Sequence, residues 1–207
     1  IKTISSQEGS LLNLYTTNKS PNVISLIQEP AFYHFQQKQP DHNIRFISSL
    51  GLEKFTLIVT IHSKILDWNT IDNHTIGTLS NNSGSYIVLQ QIKTIFKMNF
   101  SIKQYSTFSS NISKDLKDTT IDAFFIITSH PNTIIQSIHK DLSLRIIGID
   151  KLSRDTLRLA FPQLQLSSID LTHYNIFTNI PATLSCRIDI VCHDKLPDLD
   201  AYNLIQT

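Results

Sequence analysis

Hydrophobic residues along this chain come in short β-rich bursts, separated by small-residue turns and by stretches with helical spacing. Residues 23–28 and 44–50, the latter ending in a turn at Gly51, predict two strands, and FTLIVTI at 55–61 predicts a third, stronger one. The polar stretch 62–73 predicts a short helix or turn anchored by Ile65, Leu66 and Trp68. Residues 75–79 predict another strand. SNNSGS follows, and then an amphipathic helix in which Tyr86, Leu89, Ile92, Ile95 and Phe96 recur at threes and fours. Beyond it come a weak strand at 100–105 and a short helix at 110–116 with Asn111 or Ser113 as its cap. The remaining expected elements are a strand at 121–127, a helix at 132–139, a strand at 144–149, a helix at 151–160 ending before Pro162, a long strand at 180–192 and a helix at 196–205. Strands alternating with helices of this length imply parallel pairing through right-handed crossovers.

The segment IDAFFIITSHPNTII at 121–135 carries the strongest local signal. Ile121, Phe124, Phe125, Ile126 and Ile127 make a run too short and too β-rich for a helix, which reads as a buried parallel strand. Thr128, Ser129 and His130 form its exit turn. Pro131 suits the first helical position, and Asn132, Ile134, Ile135 and Ile138 continue at helical spacing, so free backbone N–H groups face the turn. Such a corner can hold an anion, although most strand–turn–helix corners bind nothing.

The strands at 55–61 and 180–190 bracket a middle block with its own strand–helix rhythm. A chain crossing from one lobe to another and back, with its ligand cleft between the lobes, has this pattern. A single doubly wound sheet explains the periodicity equally well. The 207 residues suffice for either, and 41% hydrophobic against 17% charged residues describe a folded globular chain. A net charge of +1 with dispersed signs leaves no electrostatic footprint for nucleic acid. Cys186 and Cys192 lie six apart on one expected strand, about 20 Å of extended chain, which excludes a disulfide between them. His193 beside them does not complete a structural metal site, which needs four suitably spaced ligands. No run reaches the roughly 18 apolar residues of a membrane helix, and no signal peptide or phosphate-binding loop is visible.

Segment by segment, residues 4–200 resemble the TAXI family of solute receptors that serve TRAP transporters. The strand-and-turn sequence Ile121 through Asn132 resembles the family's Ile-Asp-Ala-Phe-Phe, small pair, His-Pro-Asn. Asn82, Ser83, Gly84 and Ser85 resemble its Gly-Ser-Gly-Thr turn before a helix. Glu8, Gly9, Ser10, Asn13 and Leu14 resemble its early Gly-Gly-Ser and Asn-Leu element, 24–28 its strand ending in Gln, and RFISSLGLE at 45–53 its approach to the hinge. The chain departs from the pattern in having no counterpart of the opening strand and Gly-Gly-x-Tyr loop, one glycine at 82–85 where the family usually has two, Ser129 in place of Gly, and no Asp near Asn22. The expectation from these departures is either a fragment or a member diverged toward weaker or altered binding.

The resemblance implies an α/β, two-lobed type II periplasmic-binding-protein-like fold with hinge-crossing strands. Lobe 1 is expected at 1–58 plus 182–207 and lobe 2 at 59–181. It implies a non-enzymatic, monomeric extracytoplasmic receptor without cofactor or metal, capturing a small carboxylate such as a dicarboxylate or an acidic amino acid for a TRAP-type permease. Ser83, Gly84 and Ser85 are then expected to bind from lobe 2 through a helix N-terminus, and Ser10 and Gln28 from lobe 1. Ser129 and His130 would line the cleft at the strand exit, and Tyr174 would cap it. Arg45 and Arg187 are further candidates, because a guanidinium suits bidentate carboxylate recognition, although strand alternation equally places them on a solvated face. Two alternatives remain open at this point: a ligand-sensing domain feeding a signalling partner, and an α/β transferase using His130 or Asp122.

Overall fold

The computed structural model describes residues 9–106, 111–176 and 181–206, and seven helices and eight strands alternate along much of them. Glu8, Ser110, Ile180 and Thr207, which bound four of the expected features, lie outside those residues. The elements are α1 (Ser10–Lys19), β1 (Ile24–Gln28), α2 (Glu29–Lys38), β2 (Ile44–Thr60), a 3-10 turn (Trp68–Ile71), β3 (Thr75–Leu79), α3 (Gly84–Ile95), β4 (Ser101–Tyr105) and α4 (Asn111–Lys117). They continue with β5 (Ala123–Thr128), α5 (Thr133–Asp141), β6 (Leu144–Ile147), α6 (Lys151–Ala160), β7 (Gln165–Ser168), a second 3-10 turn (Thr172–Tyr174), β8 (Ala182–His193) and α7 (Asp198–Ile205). All eight strands form one mixed sheet in the order β1-β8-β2-β5-β3-β4, with β6 added to β2 and β7 to β8.

β2 and β8 organise this sheet. They pair antiparallel from Ile44↔His193 to Lys54↔Ser185, after which the rest of β2 pairs with β5 and β6. The strands expected at 44–50 and 55–61 are therefore one strand of 17 residues. The turn expected at Gly51 is an irregularity inside the ladder. Register shifts fall between Phe46 and Ser48 and between Ser49 and Gly51, and Gly51 takes φ 148°, a value that side-chain-bearing residues avoid. A bulge bends a strand without ending it, so a glycine that reads as a stop in sequence serves here as a flexure.

Alternation sends the central strands' side chains into two cores. Phe55, Leu57 and Val59 of β2 join Phe125 and Ile127 of β5, Val88, Leu89 and Ile92 of α3, and Trp68 in one cluster. Ile58, Phe124 and Ile126 point the other way, to Ile112 and Leu116 of α4 and Ile135 and Ile138 of α5. All six residues of β5 are buried, as a strand covered by helices on both faces requires. A third, smaller core of Leu11, Leu14, Ile27, Ala31, Phe35, Ile87 and Val191 holds α1 and α2 against β1 and β8. Burial of each such Leu, Ile or Phe contributes roughly 1.5–3 kcal/mol.

The strand pairing departs from the expected parallel arrangement. β5 is parallel to β3 but antiparallel to β2 and thus has mixed neighbours, and β8 is antiparallel to β1, β2 and β7. Pro131 is not the first helical residue: α5 starts at Thr133, and Asn132 caps it by accepting from the backbone N–H groups of Ile134 and Ile135. Ile65 and Trp68 anchor the 62–73 segment as expected, whereas Leu66 is exposed. Helices α1 and α2 and strand β7 were not expected from the pattern. α1 spreads its few apolar side chains among threonines and asparagines, and α2 starts with Glu29-Pro30 and carries only two fully buried apolar side chains with helical spacing, Ala31 and Phe35.

Candidate functional site

Five of the residues expected to bind a ligand, Ser10, Gln28, Ser83, Gly84 and Ser85, meet at one place, where α1, β1 and α2 abut the start of α3 and the end of β5. Gly9 adopts φ 95° directly against the Asn82–Ser83 turn, where a Cβ would come within 2.6 Å of the Asn82 carbonyl oxygen. Leu11 N donates to that oxygen at 2.9 Å. Next in the chain, Ser10 Oγ accepts from Gln28 N at 3.0 Å. The Gln28 side chain then reaches across, its Nε2 donating both to Glu53 Oε2 and to the Ile127 carbonyl, the latter at 3.0 Å. A Cβ at Gly84 would overlap Gln28 Oε1 and lie 3.0 Å from Gln28 Cβ, so only glycine lets the start of α3 approach this closely.

On the α3 side, Ser83 caps the helix by accepting from Tyr86 N at 3.1 Å, and the buried Ser85 Oγ accepts from Ile127 N at 2.9 Å. Both backbone groups of Ile127 are thus committed to residues named from sequence, Ser85 and Gln28. The junction is a closed latch, in which the hydroxyls and amides expected to face a ligand are engaged within the protein.

Its electrostatics are acidic, and sequence reasoning missed this. Glu29 is almost completely buried, with Oε1 2.6 Å from an Arg187 nitrogen, and Arg187 Nε lies 3.4 Å from Asp189 Oδ1. Burial raises the Glu29 pKa and Arg187 opposes the rise; burial likewise raises that of Glu53, against the Gln28 hydrogen bond. Arg187 is therefore neutralised from within. Arg45 is also engaged, with Asp198 at 2.5 Å and the Leu196 carbonyl at 2.7 Å. A signal for Glu29 was present in its position directly after the strand ending at Gln28, but the pairing with Arg187 spans 158 residues and is not legible locally.

Ser129, His130 and Tyr174 lie at the exit of β5, on a separate network. Tyr174 is buried, and its hydroxyl accepts from Asn132 N at 2.8 Å and lies 2.7 Å from His130 Nδ1. His130 Nε2 lies 2.9 Å from Thr56 Oγ1, which in turn donates to the Lys54 carbonyl. One proton arrangement uses every group: the Tyr174 hydroxyl donates to Nδ1, and Nε2–H donates to Thr56. Burial, reinforced by Lys54 and His173, holds the imidazole pKa down to about 4, matching this neutral tautomer. His130 is thereby a structural link between β2, β5 and the Thr172–Tyr174 turn, whereas Ser129 is exposed beside it.

The open volume adjoining the latch lies along α2 and α3, a cleft of about 540 Å³ that starts at Asn81 and Asn82. His34 and Lys38 line it from α2, and Tyr86, Gln90 and Gln91 from α3. A second cleft of about 550 Å³, at the opposite end of β2, includes His62, Lys64 and Asp122.

Residues 3–207 match the NMT1-like family. The chain belongs to that family. A comparison with curated proteins finds no match. Among solved structures, the NMT1-like chain is similar to the regulatory domain of CcmR from Synechocystis PCC6803 in complex with 2-PG, at TM-score 0.57 and 7% identity over 96% of this chain and 77% of that one. It is similar to the effector-binding domain of QuiR in complex with shikimate, at TM-score 0.56 and 8% identity, covering 94% and 75%. A protein named as an L-cystine ABC transporter from Listeria monocytogenes matches at TM-score 0.51 and 12% identity, covering 83% of this chain and 58% of that one. The NMT1-like chain thus spans less than two thirds of that last protein's length. These likenesses show the fold, a two-lobed mixed α/β architecture of periplasmic-binding-protein type II. No helix among the described residues is long and apolar enough to cross a membrane.

Proposed function

We propose that this NMT1-like chain is a non-catalytic ligand-binding domain, and more specifically a solute receptor of the TAXI kind. In this reading it captures a small carboxylate outside the cytoplasmic membrane and delivers it to a TRAP-type permease. Lobe 1 comprises 1–58 with 182–207, and lobe 2 comprises 59–181. The observation that carries the reading is the latch itself. The residues that begin α2 and α3, on opposite lobes, meet through Gln28 and Gly84, beside the strands that join the lobes. An interface of this kind converts ligand contact into a change in lobe closure. Ser10, Gln28, Ser83, Gly84 and Ser85 are the closing contacts, and His130 and Tyr174 brace the β5 exit beneath them.

Thermal unfolding of the purified chain against dicarboxylates, acidic amino acids, sugars and nucleotides tests this function. A bound solute at about 100 times its dissociation constant stabilises by about 2.7 kcal/mol. Stabilisation by a carboxylate, reduced by Ser83→Ala, supports the receptor; silence across every small carboxylate refutes it.

One observation favours a second reading, a ligand-sensing domain that signals to another protein. Phe46, Leu50 and Leu52 of β2 are exposed near the bulges, an apolar surface that changes its setting when the lobes move. Sedimentation of the chain with and without ligand tests it, with ligand-dependent association as the expected result.

A further inference from the structure

The latch and the adjoining cleft differ in chemistry, and the difference points to where a ligand sits and what it is. Glu29, Glu53 and Asp189 surround the latch, and its guanidinium is already paired, so a carboxylate brought there meets like charge. The α2–α3 cleft has the opposite character. Lys38 is its one fully charged residue, and no Asp or Glu among the described residues lines it. His34, one turn before Lys38, has its pKa lowered by burial and by that lysine, and so serves as a neutral hydrogen-bonding group.

The rest of the wall is amide and apolar. Gln90 Nε2 donates to the Tyr86 hydroxyl at 2.9 Å, but the Gln91 side-chain oxygen is sealed from bulk solvent with no hydrogen-bond partner among the described residues. Leaving a buried acceptor unsatisfied is costly, and rotation of the terminal amide toward a ligand hydroxyl in the cleft relieves that cost. Ile87, Ile95 and Phe161 supply an apolar wall for a carbon skeleton.

We propose that the α2–α3 cleft is the binding site of this domain and takes a small hydroxylated organic acid, its carboxylate directed at Lys38 and a hydroxyl at Gln91. The assignment rests on the reading of the chain as a solute receptor and locates the ligand beside the latch. A molecule in the cleft touches α2 of one lobe and α3 of the other, so it holds them together without entering the acidic centre. The volume of about 540 Å³ is ordinary for a small-molecule site.

Isothermal titration of the chain with L-malate, succinate and D-threitol tests the assignment, because the three probes carry acid with hydroxyl, acid alone and hydroxyl alone. L-Malate is expected to bind at least tenfold tighter than either of the others. Lys38→Ala is expected to erase the preference over D-threitol, and Gln91→Leu the preference over succinate. Gln91→Leu also removes the unsatisfied acceptor, so the unliganded variant should melt no lower than the parent, which separates lost binding from lost folding. Binding of L-malate that both variants retain within twofold, or binding of carboxylates without regard to the hydroxyl, overturns the cleft assignment and leaves the receptor reading standing. Failure of every probe and of the wider carboxylate panel overturns both.

Discussion

Replacing Gly84 with alanine should open the contact between the start of α3 and Gln28. The added Cβ would overlap Gln28 Oε1 and press on Gln28 Cβ at 3.0 Å, so the Gln28 side chain must swing away. Two hydrogen bonds go with it. The bond to Glu53 involves a buried carboxylate and is worth about 1.5–3 kcal/mol, and the bond to the Ile127 carbonyl about 1 kcal/mol. Alanine returns at most about 1 kcal/mol through its better helix propensity, and less than that at the first position of α3. The expected net loss is about 2–3 kcal/mol, read from urea unfolding as a lower midpoint at unchanged slope. The decisive arm is a double-mutant cycle. In a Gln28→Ala background the same bonds are already gone and only the 3.0 Å approach to the remaining Cβ is left, so Gly84→Ala should cost less than about 1 kcal/mol, giving a coupling of about 2 kcal/mol. An equal cost in both backgrounds, or a cost below about 0.5 kcal/mol in the parent, refutes the latch.

Three further outcomes follow from the other networks. His130 has its pKa lowered to about 4 in the folded chain against an ordinary value of 6.5, so the unfolded state binds the proton first on acidification. Its contribution is present above about pH 6.5 and is lost as pH falls toward 4. The full shift corresponds to about 3 kcal/mol, and solvent screening of the partly buried ring reduces it to about 1–2, so His130→Asn should flatten the stability–pH curve in that window. Arg187→Ala leaves Glu29 buried without its cation. Loss of a buried partner costs about 3–5 kcal/mol, and the exposed side of the guanidinium brings this to about 2. That loss should shrink on acidification as Glu29, its pKa raised by burial, takes up a proton, and a pH-independent loss would count against the pairing. Asn132→Ala removes the α5 cap, and chemical denaturation should report a loss of about 1–2 kcal/mol.

The large central elements were legible because burial on both faces leaves a local mark. The Phe124–Ile127 run and the Tyr86-to-Phe96 periodicity announce β5 and α3 unaided. Gln28, Gly84 and Ser85 stand together in the fold, and it was the resemblance that named them as ligand contacts; spacing alone did not. Their bonding to Ile127 was invisible, because Ser85 meets it across 42 residues and Gln28 across 99. The single β2 strand was hidden for a different reason. Gly51 and the serines around it have the composition of a turn, and only the facing β8 ladder shows that they are a bulge. His130 was placed at the right corner, but its neutral, inward-bonded state depends on Tyr174 and Thr56, which nothing in the local sequence connects to it.

The β2–β8 ribbon, continuous through its two bulges, also decides how the molecule comes apart. β1 has its only ladder partner, among the described residues, in β8, and the ladder between β8 and the first part of β2 continues the sheet that holds β5. Neither lobe owns a closed set of strands, so losing one strips backbone partners from the other. Such a molecule is two-lobed in shape but a single cooperative unit in energy. Calorimetry should give one transition whose calorimetric and van't Hoff enthalpies agree, and amide exchange along β2 should follow global unfolding on both sides of Gly51.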